Sequence, residues 1–467
     1  MTPIKFGTDG WRAIIAKEFT VENVARVTEA CVQWLKASGG EKSVVLGHDC
    51  RFAGEMFAQT TAVVLASNGI KVKMAKGFVS TPMVSLGTTK EGADIGIVIT
   101  ASHNPPEYNG FKIKGSYGGP LLPEKIQEIE DLIPASSNFT LDMEEFNALL
   151  DKGMISYVDL ESLYVKAIED NFDLEAIRNS GMTFAYDAMY GAGQNVIPRI
   201  LPDAVLLHCD DNPGFRGQAP EPIDKNLQEF AGLIEVSGDI DCGLATDGDA
   251  DRIGLYNSKG EFVDSHHIIL LLIKYLVEQK GMTGKVVTAF SASVKVKQLC
   301  ERLGLEHETV KIGFKYICAH MIEEDVLLGG EESGGIAIKG HVPERDGIWM
   351  GLVIWEYMAK SGKSLDELIA EVYDIVGSFA FQRNDLHLTE SVKEGIIEKC
   401  KADSFKSFGG KEVSELQTID GFKYFFNQDE WLMIRPSGTE PVLRTYAEAR
   451  TFERAGEILK ACKEEIL

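Results

Sequence analysis

Four short segments of this chain combine residue types that chemistry requires. Asp247-Gly-Asp-Ala-Asp251-Arg252 sets three carboxylates at alternate positions. Brought together, they can hold one hard cation such as Mg²⁺ and leave room for a phosphate oxygen. An EF-hand loop would need Gly at the sixth position and Glu at the twelfth, where this chain has Arg252 and Ser258. A merely solvated acidic turn fits poorly, because crowded carboxylates repel and apolar runs flank them. Thr100-Ala-Ser-His-Asn-Pro105 puts a serine beside a histidine, just past an apolar run and before Pro105-Pro106. Ser102 is expected to be exposed and held in an unusual turn, as a nucleophile or phosphate carrier. The segment is not a G-x-S-x-G elbow, so the α/β-hydrolase reading fails. Taken alone, Ser102-His103 reads more readily as a turn than as a site.

Gly330-Glu-Glu-Ser-Gly334 displays carboxylates and a hydroxyl on a glycine-rich loop, which suits hydrogen bonding to sugar hydroxyls. A plain turn is the even alternative. His341, Arg345 and Asp346 follow and can extend the site, or belong to ion pairs. Arg435-Pro-Ser-Gly-Thr439 offers a guanidinium fork, two hydroxyls and a glycine that frees backbone N–H groups, a natural phosphate cradle. Arg444 lies close behind it. A Walker A loop is absent from the chain.

These segments need elements to position them. Thr20 caps a predicted helix with Val24, Val27, Cys31 and Leu35 on one face, stopped by Gly39-Gly40. A strand at Val44–Leu46, a helix over 56–67 and a strand at Ile95–Ile99 follow, the last running into the serine segment. Strands are predicted again over Met182–Asp187, over Val205–His208 and around Leu244, entering the acidic segment. Ile253–Tyr256 and Phe262-Val263 read as a hairpin. An apolar helix over Ile268–Leu276, strands at Val286–Ala289 and Val326–Leu328, and helices over 347–358 and 365–376 make a third unit. About 90 residues remain for a smaller one. Strand, helix, strand in repetition argues an α/β layer fold.

At roughly 100–200 residues per domain, 467 residues suggest three or four domains. Hydrophobic residues at 44% and charged residues at 25% describe an ordinary globular chain. With 47 Lys and Arg against 71 Asp and Glu, the net charge is −24. That excess repels nucleic-acid backbones and anionic membranes, and leaves a small phosphorylated substrate open. No apolar stretch is long enough to span a bilayer, and no secretory segment is expected at the start. Cys31, Cys50, Cys209, Cys242, Cys300, Cys318, Cys400 and Cys462 form no C-x-x-C pair. Reduced thiols and a cytoplasmic location are expected.

With these residues assembled, the chain resembles the α-D-phosphohexomutase family, which includes phosphoglucomutase and phosphomannomutase. Six segments carry the resemblance in order: Phe6-Gly-Thr-Asp-Gly-Trp-Arg12, Thr100–Pro105, Asn109-Gly-Phe-Lys112, Asp247–Arg252, Gly330–Gly334 and Arg435-Pro-Ser-Gly-Thr-Glu-Pro441. The resemblance implies four domains around a central cleft, three related α/β units with mixed sheets and a smaller C-terminal α+β domain. Their expected spans are 1–152, 153–258, 259–376 and 377–467. It implies that Ser102 is the phosphorylated serine, and that Asp247, Asp249 and Asp251 hold Mg²⁺ with a phosphoserine oxygen. Arg12, His103 and Lys112 would line the reaction centre, Lys112 as a candidate for proton transfer. Glu331 and Ser333 would read sugar hydroxyls, with Arg252, Lys295 and Arg345 near substrate. Arg435, Ser437, Gly438, Thr439 and Arg444 would grip the non-reacting phosphate.

The implied reaction passes a phosphoryl group from Ser102 to a hexose monophosphate. The resulting hexose 1,6-bisphosphate then turns end for end and returns its other phosphate. The loop Gly330-Glu-Glu-Ser-Gly-Gly335 looks more like glucose-specific members, so glucose is the expected sugar, mannose second and glucosamine third. Gly335 removes one hydroxyl partner. Two rival classes are a Mg²⁺-dependent phosphatase, whose D-x-D-x-T motif is missing, and a non-catalytic phosphosugar-binding protein. Monomer and dimer both stay open.

Overall fold

The computed structural model describes residues 3–436 and 442–467. Three of its sheets follow one plan. In the first, the order is Trp11–Ile14, Tyr108–Gly115, Ile95–Ile99, Ser43–His48, Lys71–Ala75, Ile155–Val158. The last four strands pair in parallel, and the first two antiparallel. The second runs Phe262–Val263, Ile253–Asn257, Cys242–Thr246, Phe184–Asp187, Val205–Leu207, and the third His307–Val310, Lys285–Ala289, Val326–Gly330, Ile336–Ile338. Each has parallel strands edged by antiparallel ones. The fourth sheet, Ala380–His387, Val442–Ala449, Trp431–Pro436, Phe422–Phe425, Glu415–Gln417, is antiparallel throughout.

This plan explains where the polar segments lie. In each of the first three sheets, one strand hands the chain to its antiparallel neighbour: Ile95–Ile99 to Tyr108–Gly115, Cys242–Thr246 to Ile253–Asn257, and Val326–Gly330 to Ile336–Ile338. The serine, acidic and glutamate segments are the connections at those three switches. Arg435 stands at the corresponding place in the fourth sheet, before Val442–Ala449.

Local sequence signals hold. The Thr20 hydroxyl accepts the Asn23 N–H, and Val24, Val27, Cys31 and Leu35 are buried along the helix Val21–Ala37. The helix Ser265–Glu278 is buried over Ile268–Leu276 on every face, because it lies between other elements rather than at the surface. The helix Gly347–Ser361 packs against strands of the second sheet as well as the third. A continuous apolar core therefore runs from Val45 through Tyr186 and Leu270 to Phe379, spanning three domains.

Two expected boundaries shift. Ile155–Val158 pairs with Lys71–Ala75, so the first sheet extends past residue 152. Phe262–Val263 pairs with Ile253–Asn257, so a cut after 258 would sever a hairpin of the second sheet. The cut after 258 crosses a hairpin that the sequence itself predicts, and only Ile155–Val158, a short strand that follows a loop, is hidden from it. All eight cysteines are free thiols, and among the described residues no helix is long and apolar enough to cross a membrane.

Candidate active site

Ser102 follows the strand Ile95–Ile99 and has φ of +53°, the left-handed region that few side chains adopt. The unusual turn matches expectation; the expected exposure does not, since Ser102 is 1% exposed. The acidic loop of the second domain lies against it. Its hydroxyl donates to Asp247 Oδ2 at 2.7 Å, and His103 Nδ1 lies 3.3 Å away. A Cβ on Gly248 would sit 2.6 Å from the Ser102 carbonyl oxygen, so only glycine lets the acidic loop approach this closely.

Asp247, Asp249 and Asp251 are buried, with one carboxylate oxygen from each within 4.8 Å of the others. Asp247 Oδ1 accepts the backbone N–H groups of Asp251 (2.9 Å) and Arg252 (3.1 Å). Burial, with Asp249 and Asp251 alongside, raises the Asp247 carboxyl well above its ordinary range. Asp249 Oδ1 and Asp251 Oδ1 are buried without a hydrogen-bond partner. Orphaned oxygens beside crowded like charges fit a divalent cation. Glu308, His320 and Glu324 form another such grouping, but it is open to solvent, with Glu324 exposed and the other two half-buried, and the Lys285 ammonium pairs with both glutamates at 2.9 and 2.5 Å.

Lys112, on the strand Tyr108–Gly115, is 1% exposed and lies 2.7 Å from Asp9, 2.7 Å from Asp249 and 2.9 Å from Asp251. Burial alone would lower its pKa; the three carboxylates outweigh that and raise it. Lys112 is therefore held as an ammonium, so any direct proton transfer from it is that of a donor. His103 is the reverse. Burial, followed by Arg252, Arg12 and Lys112, holds it well below its ordinary pKa and keeps it neutral. Arg12 donates to Asn104 Oδ1 at 2.7 Å, beside the serine.

The glutamate loop is stitched to the acidic loop. Ile253 N–H donates to the Gly334 carbonyl at 3.0 Å, and Arg252 bridges Gly335. Glu331 Oε1 accepts the Gly313 N–H at 3.0 Å, and burial lifts its carboxyl to about 7 against the pull of Arg345. Ser333 is half-buried on the same loop. Arg345 pairs with Asp9 and, at 2.6 Å, with Asp251, which ties three domains together. Arg252 reaches Glu221 at 3.3 Å. A Cβ at Gly335 would meet Arg345 Cδ at 2.4 Å, so this glycine also clears space for the arginine. His341 and Asp346 do not extend the site. Asp346 caps the helix Gly347–Ser361 and takes the Tyr164 hydroxyl, and His341 bonds to it at 2.9 Å.

Arg435 and Arg444 face each other across strands Trp431–Pro436 and Val442–Ala449, and Arg444 is in register with Asp385. Asp420 lies 3.3 Å from Arg435 and accepts the Ile312 N–H of the third domain at 2.9 Å. Burial lowers and Asp420 raises the Arg435 pKa, with Glu332 also acting on it, so this sheet is within electrostatic reach of the glutamate loop. Ser437, Gly438 and Thr439 lie outside the described residues. Lys295 is not brought to the cluster: its ammonium lies 2.6 Å from Asp429 and donates to the Val376 carbonyl at 2.9 Å. Its position at the start of a helix after a strand gave no warning of this interdomain use.

Sequence reasoning missed Asp9, which sits between Lys112, Lys114 and Arg345. It also missed the buried Lys114–Glu344 pair at 2.6 Å, Thr81, whose hydroxyl donates to Asp249, and Arg51, whose guanidinium holds the serine loop. Only the Asp9 signal was near at hand, inside the segment that ends in Arg12.

Three switch-point loops around one buried serine and acidic triplet, with a fourth domain in antiparallel sheet, define a phosphohexomutase architecture. Models of phosphoglucomutase/phosphomannomutase match every domain: α/β/α domain I over residues 3–139, domain II over 162–260, domain III over 264–376 and the C-terminal domain over 394–465. The chain belongs to the phosphoglucomutase/phosphomannomutase family and is an isomerase. It is 32% identical to a phosphoglucomutase/phosphomannomutase of Thermococcus kodakarensis, over 97% of this chain and 96% of that one. It is 30% identical to a phosphoglucosamine mutase of Methanococcus maripaludis, over 90% of each. A Thermus thermophilus crystal structure that carries the name phosphomannomutase superposes with a TM-score of 0.88 at 33% identity, covering 100% of this chain and 99% of that one.

Proposed function

We propose that the chain interconverts hexose 1-phosphate and hexose 6-phosphate through phosphorylated Ser102 and a hexose 1,6-bisphosphate, with glucose preferred and mannose accepted. The observation that carries this reading is the 2.7 Å contact between Ser102 Oγ and Asp247, inside the acidic triplet. Asp247, Asp249 and Asp251 would hold Mg²⁺, which supplies neutralisation of charge on the phosphoryl oxygens. The bond from phosphorus to Ser102 Oγ breaks as one to the sugar oxygen forms, and the sugar hydroxyl gives up its proton. Neutral His103 offers a nitrogen lone pair for that proton, with the phosphoryl charge offsetting the cations that otherwise oppose its imidazolium, and the Lys112 and Arg12 cations favour the charge on the transferring group. Glu331 and Ser333 would face sugar hydroxyls, with Arg252 and Arg345 behind them. Arg435, Ser437, Gly438, Thr439 and Arg444 would hold the phosphate that is not reacting. Lys295 has no part in this scheme.

Reorientation requires that one grip accept either phosphate, so recognition rests on phosphates and shared hydroxyls. Glucosamine phosphate is the second reading, supported by relatives that carry the name phosphoglucosamine mutase at 28–31% identity. A coupled assay of 1-phosphate to 6-phosphate conversion, run separately on glucose, mannose and glucosamine phosphates, decides between them. Highest kcat/KM on glucose is expected; highest on glucosamine transfers the assignment, and none on any of the three refutes it.

A further inference from the structure

The first sheet's strand Ser43–His48 ends in Asp49-Cys50-Arg51, a segment the reaction scheme leaves without a task. Arg51 is 3% exposed. Its guanidinium donates to four carbonyls of the serine loop: Nη2 to Ser102 (2.6 Å) and Asn104 (2.6 Å), and Nη1 to Pro105 (2.8 Å) and Tyr108 (3.0 Å). Its Nε lies 3.3 Å from Asp49 Oδ2, and the Phe215 ring of the second domain lies 5.0 Å from the guanidinium carbon. Asp49 in turn accepts the Thr100 hydroxyl and the Arg51 N–H, and the Thr100 oxygen accepts the Ser102 N–H at 2.9 Å.

One ion pair thus grips both peptide groups of Ser102. The N–H side is held through Thr100 to Asp49, and the carbonyl side by Arg51. A serine at φ of +53° keeps that strained backbone only when its surroundings over-determine it. A planar fork satisfies four converging carbonyls; a lysine ammonium has three donors and no plane.

We propose that Arg51 is a positioning residue, which acts through the serine loop to aim Ser102 Oγ for phosphoryl transfer without touching substrate. The inference rests on the mutase reading above and adds a residue to it. The hydrogen bonds of the Arg51 guanidinium all go to backbone carbonyls, and its buried Nε pairs with Asp49 by charge without a hydrogen bond, so its loss changes the aim of the nucleophile and leaves the sugar and phosphate grips in place. Misplacement by about 1 Å costs roughly a hundredfold in rate.

The test compares Arg51→Lys, Thr100→Val and Ser102→Ala with the parent enzyme. Each is measured by steady-state kinetics on glucose 1-phosphate and by the single-turnover rate of protein phosphorylation from glucose 1,6-bisphosphate, followed by intact mass. Arg51→Lys should lower kcat and the phosphorylation rate together by about a hundredfold, with KM within about threefold. A kcat within threefold of the parent, or a KM change that matches the kcat change, overturns the inference. If Arg51→Lys fails to fold, Thr100→Val decides: about tenfold lower kcat at unchanged KM supports it, and unchanged kcat overturns it. Ser102→Ala separates the two levels. If that variant is dead while Arg51→Lys and Thr100→Val are fully active, only the Arg51 inference falls. If it turns over, the serine reading falls and the inference with it.

Discussion

Ser102 and Asp247 are 145 residues apart in the chain, in two different domains, and share a 2.7 Å hydrogen bond. Nothing local brings them together. Each stands in the loop where a parallel strand gives way to an antiparallel one, and the core shared by three domains turns those loops toward one point. Open α/β sheets usually place ligands at such switches.

Ser102 bears on stability as well as chemistry. Both Ser102→Ala and Ser102→Gly should abolish turnover. Glycine relieves the left-handed strain that alanine keeps, so the glycine variant should be the more stable of the two by about 1 kcal/mol, read from denaturant midpoints.

Asp249 is held below the ordinary carboxylate range: burial raises its pKa, but Lys112, the Thr81 hydroxyl and Arg345 together outweigh it. Asp249→Asn should raise the Mg²⁺ concentration for half-maximal activity by about tenfold or more, and calorimetry should show the same weakening of Mg²⁺ binding. Unchanged Mg²⁺ dependence would remove Asp249 from the ligand set.

Glu331 is pushed up by burial from 4.5 to about 7. Between those values the folded state binds a proton that the unfolded state has released. Its contribution to stability is therefore full below pH 4.5, falls as pH rises, and is lost above about 7. Glu331→Gln imitates the protonated form and should flatten part of that decline. Denaturation midpoints of both proteins, taken without Mg²⁺ from about pH 5 to 8, check the difference.

Lys295 binds the fourth domain to the third through Asp429, and donates to the Val376 carbonyl within the third. Lys295→Met should lower the melting temperature by a few degrees and leave KM for the sugar phosphate within about threefold. A tenfold rise in KM at unchanged stability would return Lys295 to the substrate site.

Much of the site was legible because its residues come in short runs. Three aspartates at alternate positions state their chemistry wherever the fold puts them, and Ser102-His103 follows a strand with clear alternation. Lys114 and Glu344 were hidden for a physical reason. A buried ion pair is made of partners from distant segments, and neither partner's neighbours reveal that its charge will be buried. Arg345 illustrates the limit: its sequence position suggested reach toward substrate, while its side chain is spent on Asp9 and Asp251. Lys295 reads the same way as an active-site lysine would, and only the docking of the fourth domain shows its use. The strand Ile155–Val158 falls on the far side of the expected boundary because its pairing partner cannot be read from the strand itself, whereas the hairpin to Phe262–Val263 was legible and the boundary at 258 ran through it.

The most direct measurement is peptide mapping of the protein after incubation with Mg²⁺ and glucose 1,6-bisphosphate carrying isotopically labelled phosphate. One labelled phosphoryl group on the peptide containing Ser102, lost again when excess unlabelled glucose 1-phosphate is added, is the predicted result. Turnover of glucose 1-phosphate by a protein that carries its phosphate on another residue, or never carries one, would contradict it.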